Sequence, residues 1–510
     1  MGNGSPTPAE SISLKKLHLS FGVFILAVLG VAIRVVRITD PFIDTWSWRQ
    51  SDVAMIAENF SRNGFHVFFP QINWAGPTPG YVGTEFQLVP LLAALLYRLF
   101  GVHEWIGRAL SVAFFATSLP VFFLVVRRLY TARAALAAVS VYIAVPLSIF
   151  SSRSFMPDMA SLSMALVALY LFTRWLEHDR HPLVFTGVAV TLALALLVKP
   201  FIATVGFALL YLAIGKYGRG WVRATWLWTL ATLAVLPSLV WYAHAYYVSI
   251  SNPPYHFFGS GGVGLGSLKD YAGIAEEVVF VSLTPTVAVL ASIGLFVRPR
   301  RPGGHVFHYW LIGVLLFLVT AARHPHQWYP LALVPVAAAL AGAALDRLAD
   351  VLAHAWGRGP AICAGLVLYL SLGFSAYMQV APLYQPLALP AFRAGVALRQ
   401  LAPRDALVAV VDAGDPTAIY YSGRKGWHFP RDFGSPVAQD AEAIRELETL
   451  RREGARYLVF LRNTMWWFDQ YPEFGRAVTT SYRRVQETED YVIFDLSPLT
   501  RAGAGGLPHR

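Results

Sequence analysis

The chemistry open to this chain is concentrated in a few ionisable residues set between long apolar stretches. They are Asp44, Arg49, Asp52, Glu85 and Arg108, then Arg153 and Asp158 in SSRSFMPDMA, Lys199 in LVKPF, and His324 and His326 in RHPHQWYP. A carboxylate can take the proton of an attacking hydroxyl, and Arg or Lys can hold an oxyanion or a phosphate. Two His separated by one Pro make a weak metal signal, so any metal stays unknown and no required cofactor can be argued. The segment GSGGVGLGSLKD lacks the Gly-Lys-Ser/Thr order of a phosphate-cradling loop and reads as a mobile flap.

Each residue also has a purely structural reading. Asp158, after Pro157 and before an apolar run, suits a helix N-cap, as do Asp44 and Ser47. Arg49 and Asp52, at i and i+3, can pair with each other. Lys199 can snorkel to lipid phosphate, and the two His can be interfacial residues. No single position decides. The set does, because four separated loops deliver acids and bases to one face.

The elements that position this set are membrane helices. The chain has 510 residues, 56% hydrophobic and 14% charged, which is too apolar for an ordinary soluble protein. Apolar windows recur at 17–38, 106–126, 134–150, 159–173, 183–198, 200–215, 224–246, 276–297, 306–322, 328–345 and 360–379, each near the length that crosses about 30 Å of hydrocarbon. That predicts about eleven transmembrane helices. Residues 47–63 and 86–101 read instead as amphipathic helices of the outer interface, inside a first outer loop over 39–105. Past residue 400 the runs ALVAVVD, AIYYS, YLVFL and YVIFD alternate with a helix at about 438–452, which predicts a small α/β domain over 381–500. Residues 501–510 read as a disordered tail.

The net charge of +11 is not a nucleic-acid signal. Residues 1–380 hold 25 Lys+Arg against 15 Asp+Glu, and residues 381–510 hold 16 against 15, so the excess lies in the membrane part. With the N-terminus inside, 15 basic residues fall on inside segments and 4 on the short outside loops, which predicts a cytoplasmic N-terminus and an outside C-terminal domain. The only cysteine, Cys363, lies in an apolar run, so no disulfide framework is available.

The segments WRQSDVAMIAENFSRNG and GTEFQLVPLLAALLYRLFGVHEWIGR, continuing through SFMPDMASLSMALVALYLF, LLVKP and HQWYPLALVPVAAAL, resemble the GT-C membrane glycosyltransferases that use polyprenyl-phosphate sugars. The resemblance is to the aminoarabinose transferases of lipid A and the protein O-mannosyltransferases, and it covers most of residues 20–350. It implies a bacterial inner-membrane enzyme that moves a sugar, with inversion, from a polyprenyl-phosphate donor to a lipid, glycan or protein acceptor on the periplasmic side. In those relatives an Asp-Glu pair opens the first loop helix. Here that pair falls at Arg49 and Gln50, leaving the base open between Asp52 and Asp44. Glu85 and Asp158 match acidic positions, and Arg108 and Lys199 match basic positions that the resemblance implies serve the phosphate. Arg153, His324 and His326 join them as candidates for the donor phosphate, and Trp48, Trp74 and Tyr329 as candidates for stacking on sugar rings. The competing classes are a membrane transporter or flippase, disfavoured by charges gathered at one face and no repeated halves, and an envelope scaffold.

Overall fold

A computed structural model describes residues 8–177, 181–258, 264–301, 303–323, 325–432 and 437–497. His324, residues 259–263 of the glycine-rich flap and the 501–510 tail lie outside the described residues.

The membrane part contains α1 (Pro8–Val35), α2 (Ser47–Asn63), α3 (Leu88–Phe100), α4 (Glu104–Leu129), α5 (Ala132–Ala144), α6 (Pro146–Ser151), α7 (Asp158–Glu177), α8 (Pro182–Val198), α9 (Val205–Tyr217), α10 (Thr225–Ser251), α11 (Leu268–Glu276), α12 (Pro285–Gly294), α13 (Val306–Thr320), α14 (Leu333–Trp356) and α15 (Arg358–Val380). Every apolar window of the sequence is helical, but among the described residues 6 helical segments are long and apolar enough to span a membrane, or 7 if one bent pair counts as a single span. Two windows are interrupted. The 134–150 window breaks at Val145 (φ −59, ψ 129), because Pro146 removes a helical donor and disfavours the α conformation in the residue before it. Buried Arg34 of α1 fastens that break, donating to the Ile143 carbonyl (3.2 Å) and Ser148 Oγ (3.0 Å). The 276–297 window becomes π-helical over Glu277–Leu283 and turns by 98° at Thr284 into α12.

The first loop differs from its expected form. α3 exposes Leu95, Leu99 and Phe100 along one side, as an interfacial helix should. α2 is instead buried almost all round from Ser47 to Phe60. Its polar side is covered by the C-terminal domain: Ser47 Oγ donates to Asp415 Oδ2 (3.2 Å), and Ser51 Oγ lies 3.2 Å from Thr417 Oγ1.

That domain holds α16 (Leu389–Leu401), β1 (Leu407–Val411), α17 (Thr417–Ser422), β2 (Gly426–His428), α18 (Asp440–Arg452), β3 (Ala455–Leu461), α19 (Trp467–Gln470), α20 (Pro472–Ser481), β4 (Arg483–Glu487) and β5 (Tyr491–Asp495). The strands form one sheet in the order β2-β1-β3-β5-β4, with β1 parallel to β2 and β3, and β5 antiparallel to β3 and β4. Alternation along β1 and β3 supplies two cores: Val408, Val410 and Val459 pack toward the membrane part, and Ala409, Leu458 and Phe460 join the core that holds Leu447 of α18 and Phe474 of α20. The run AIYYS, expected as a strand, is helix α17. Asp415 accepts from the Thr417 amide (2.9 Å) at its start, and Gly423 (φ 61) ends it, so local capping overrides β propensity. The domain docks on the first loop through Gly76 N to Gly426 O (2.7 Å) and Gly426 N to Asn73 O (2.9 Å). A Cβ on Gly76 (φ +63) would meet the Trp427 ring at 2.3 Å, so only glycine admits this approach.

Candidate active site

Lys199 is placed by the proline after it. Pro200 ends α8, leaving Lys199 extended (φ −151, ψ 112) while its amide still bonds Ala195 O (3.0 Å). The start of α7 lies beside the end of α8, joined by Ser161 Oγ to Ala195 O (2.8 Å), which brings Asp158 Oδ1 to 3.7 Å from Lys199 Nζ. Glu85 arrives from the first loop, where Phe86 N bonds Leu197 O (3.1 Å), and its Oε1 stands 3.5 Å from the same Nζ. The backbone just before it is pressed on α10, since a Cβ on Gly83 would meet Ala245 O at 2.2 Å. Arg49, from the first turn of α2, closes the group by pairing with Glu85 and lying over the Phe258 ring at 4.6 Å.

Arg49, Glu85 and Lys199, but not Asp158, border a cavity of about 590 Å³ lined also by Trp48, Phe201, Tyr242, Tyr246, Phe257, Phe258, Phe317, His326, Trp328 and Tyr329, among others. The cavity is aromatic on its walls and charged at one end. There Arg49 and Lys199 face one lining carboxylate. Burial alone would push Glu85 up, but Arg49 and Lys199 beside it hold its pKa down to about 2. Arg49 is raised, its burial overridden by Glu85, Asp52 and Asp158. Nη1 of Arg49 is buried without a hydrogen-bond partner, and so are both carboxylate oxygens of Asp158. An orphaned buried guanidinium donor is costly unless a ligand meets it. Among the described residues no three His, Cys, Asp or Glu side chains converge as metal ligands would.

Several residues singled out in the sequence stand outside this cavity. Asp44 accepts from Gln50 Nε2 (2.7 Å) and from Arg153 Nη1 (3.0 Å), with Arg108 Nη2 at 3.5 Å. Arg108 also donates to the Ile38, Asp40 and Pro41 carbonyls, and Arg153 to the Arg37 carbonyl. All three help to fasten the chain after α1 and none of them lines the cavity, although Nε of Arg108 and Nε of Arg153 are, like Nη1 of Arg49, buried without a hydrogen-bond partner. Asp158 is the first residue of α7 and acts as no cap. Asp52 does not pair with Arg49. It is buried against the C-terminal domain, where Trp74 Nε1 donates to its Oδ1 (3.0 Å). Trp74 packs on His428 (4.9 Å between ring centroids) and edge-on to Phe258 (6.3 Å), behind the cavity wall rather than lining it.

Burial raises Asp52 to about 7, only partly offset by Arg49 and by the Trp74 bond. A carboxyl raised in the fold binds a proton that the unfolded chain has lost, so its ionisation costs stability from about pH 4 upward and fully above about pH 7. Asp52→Asn keeps an acceptor for Trp74 and removes that cost. It is expected to stabilise the protein at pH 8, by at most about 4 kcal/mol, and less at pH 5, while leaving turnover within about threefold. Thermal unfolding at the two pH values, with activity measured alongside, checks this.

Trp48, Tyr329 and His326 do reach the cavity. Trp328 joins them, with His326 stacked on it at 4.6 Å and Trp48 at 5.7 Å. Sequence reading missed Arg49 as a cavity cation, because its i+3 neighbour Asp52 suggested a local pair. It also missed Tyr242, Tyr246, Phe257 and Phe258, which carry no local signal in an aromatic-rich chain.

Residues 87–242 match the family model of dolichyl-phosphate-mannose-protein mannosyltransferases. No curated protein sequence matches the chain. Among solved structures, ArnT from Cupriavidus metallidurans bound to undecaprenyl phosphate is 16% identical, with 95% of this chain and 99% of that one aligned at a TM-score of 0.61. The archaeal oligosaccharyltransferase AglB from Archaeoglobus fulgidus, in complex with an inhibitory peptide and a dolichol-phosphate, is 15% identical over 94% of this chain and 75% of that one (TM-score 0.54). The arabinofuranosyltransferase AftD from Mycobacteria is 14% identical over 93% and 41% (TM-score 0.54). With nearly its whole length superposed on these enzymes, this chain has the fold of the GT-C membrane glycosyltransferases.

Proposed function

We propose that the protein transfers a sugar, with inversion, from a polyprenyl-phosphate donor to a hydroxyl of a lipid, glycan or protein acceptor at the outer face of a bacterial inner membrane. The observation that carries this is the pairing of an orphaned Arg49 donor and Lys199 at the charged end of an aromatic cavity. The two cations suit the phosphate of an isoprenoid phosphodiester, and Trp48, Trp328 and Tyr329 offer ring faces to a sugar. The acceptor oxygen attacks the anomeric carbon, the carbon–oxygen bond to phosphate breaks, and polyprenyl phosphate leaves with the electron pair. Its new negative charge develops beside Arg49 and Lys199, so no strong general acid is needed.

In this reading Glu85 takes the acceptor's proton, supported by its lining the cavity, which Asp44 and Asp52 do not. Donor binding prepares it. A phosphate that draws on Arg49 and Lys199 weakens their hold on Glu85 and raises its pKa, making it a stronger base when the substrate is present. Asp158 keeps Lys199 from collapsing wholly onto Glu85.

The test is turnover by purified, lipid-reconstituted protein given polyprenyl-phosphate sugars, combined with mass spectrometry of lipid-linked sugars and envelope glycans in a deletion strain. Donor accumulation and a shortened glycan support the reading, and unaltered glycans with normal donor levels overturn it. Orientation is tested separately. Reporter fusions after Arg128 and Gly303 are expected to report cytoplasm and a fusion after Arg404 periplasm, following the charge asymmetry. A cytoplasmic signal from the Arg404 fusion contradicts an outer-face site.

A further inference from the structure

The C-terminal domain holds a second cavity, of about 350 Å³, remote in sequence from the first and unused by the chemistry above. Its position follows from the sheet. β1 lies between its parallel neighbours β2 and β3, and the helix after β1, α17, packs with the membrane-side core, while α19 and α20 after β3 join the opposite one through Trp467 and Phe474. Chains leaving the carboxyl ends of β1 and β3 therefore diverge to opposite faces and open a crevice between them. Open α/β sheets bind ligands at such a reversal of strand order.

The crevice mixes donors, acceptors and an apolar wall. Asp412 and Asp415 follow β1, Arg462 and Asn463 follow β3, and Pro390 and Ala391 close it from the start of α16, the first helix after the last membrane segment. Asp412 is held by His428 Nδ1 (2.8 Å), and Asp415 bonds Ser47 of α2. Arg462 and Asn463 are exposed, and among the described residues their side chains have no hydrogen-bond or ion-pair partner. Two carboxylates against one guanidinium disfavour a phosphate or another anion. Hydroxyls that both donate and accept, on a ring with an apolar face, fit every wall.

We propose that this crevice binds an uncharged pyranose saccharide. Resting on the transfer reading, it is the subsite for sugar units of the acceptor remote from the reacting hydroxyl. The bond from Asp415 to Ser47 sets it beside the same turn of α2 that presents Trp48 and Arg49 to the donor cavity.

The test uses the full-length protein in lipid nanodiscs, fluorescently labelled gluco-, manno- and N-acetylglucosaminyl tetrasaccharides as probes, and two exposed-site variants, Asn463→Trp to fill the crevice and Arg462→Ala to remove its donor. At least one tetrasaccharide is expected to bind wild type, to bind Asn463→Trp at least tenfold more weakly and Arg462→Ala more weakly, and to bind Lys199→Met as wild type. No binding to wild type, or equal binding to Asn463→Trp, overturns the proposal. Saccharide binding by a protein that turns over no polyprenyl-phosphate sugar supports the crevice and removes the transfer reading. Turnover with an acceptor KM unchanged in Asn463→Trp does the reverse.

Discussion

Lys199→Met is expected to lower sugar transfer by about 100- to 1,000-fold, the loss typical when one preorganised donor to a developing oxyanion is removed. Methionine retains most of the side chain's length and packing, so the variant tests charge rather than volume. Lys199 Nζ stands within 4 Å of both Glu85 and Asp158, at distances (3.5 and 3.7 Å) that leave it able to shift to a better partner. A donor phosphate is that partner, through a charge-assisted hydrogen bond worth about 1.5–3 kcal/mol. Binding of undecaprenyl phosphate as a probe should therefore weaken by about 10- to 150-fold in the same variant. Arg108→Lys, by contrast, is expected to damage folding more than donor affinity, because Arg108 is fully buried against backbone carbonyls after α1. Equal probe affinity in wild type and Lys199→Met, in correctly folded protein, would remove Lys199 from the donor site.

Glu85→Gln is expected to cost about 100-fold or more in transfer while leaving undecaprenyl phosphate binding equal or tighter. Gln keeps the size and the acceptor for Thr84 Oγ1 but cannot take a proton, and it frees Arg49 and Lys199 from a competing negative charge. Removing one member of a buried ion pair normally leaves an uncompensated charge. Here Asp158 remains beside Lys199, and the charges of Asp52 and Asp158 still act on Arg49, so the variant should still fold. The pH profile gives an independent readout. Free Glu85 is held at about 2, so kcat/KM should show no acid limb from it between pH 5 and 8. In the donor complex the phosphate raises its pKa, so kcat should fall at a higher pH than kcat/KM does as the solution is acidified. Glu85→Asp should recover part of the activity. Full activity in Glu85→Gln would return the role of base to another carboxylate.

The amino-acid pattern by itself determined the apolar helices before residue 380 and a small C-terminal domain with a sheet, but not the number of spans, since about eleven were expected and, among the described residues, 6 or 7 helical segments are long and apolar enough. The helices and the sheet depend on local properties: length and apolarity of a window, and the two-residue alternation of a strand. Lys199 was legible as a basic residue between two apolar windows and in a resembling position, while the structure shows its backbone set by Pro200. Glu85 was legible only as an acid in a resembling position.

The tertiary structure alone decided which charges meet. Arg49 has Asp52 one turn away in α2, yet it pairs with Glu85, 36 residues distant, because Gly83 lets the first loop press on α10 and carry Glu85 to the end of α8. Asp52 is then turned from the cavity toward the C-terminal domain and α2 from an interfacial helix into a buried one, both because that domain covers the polar side of α2. Asp44, Arg108 and Arg153 were consumed in fastening the chain after α1, a use that no spacing reveals. Burial of a charge requires a partner, and the nearest partner in space is set by how the helices and the first loop pack, not by order along the chain.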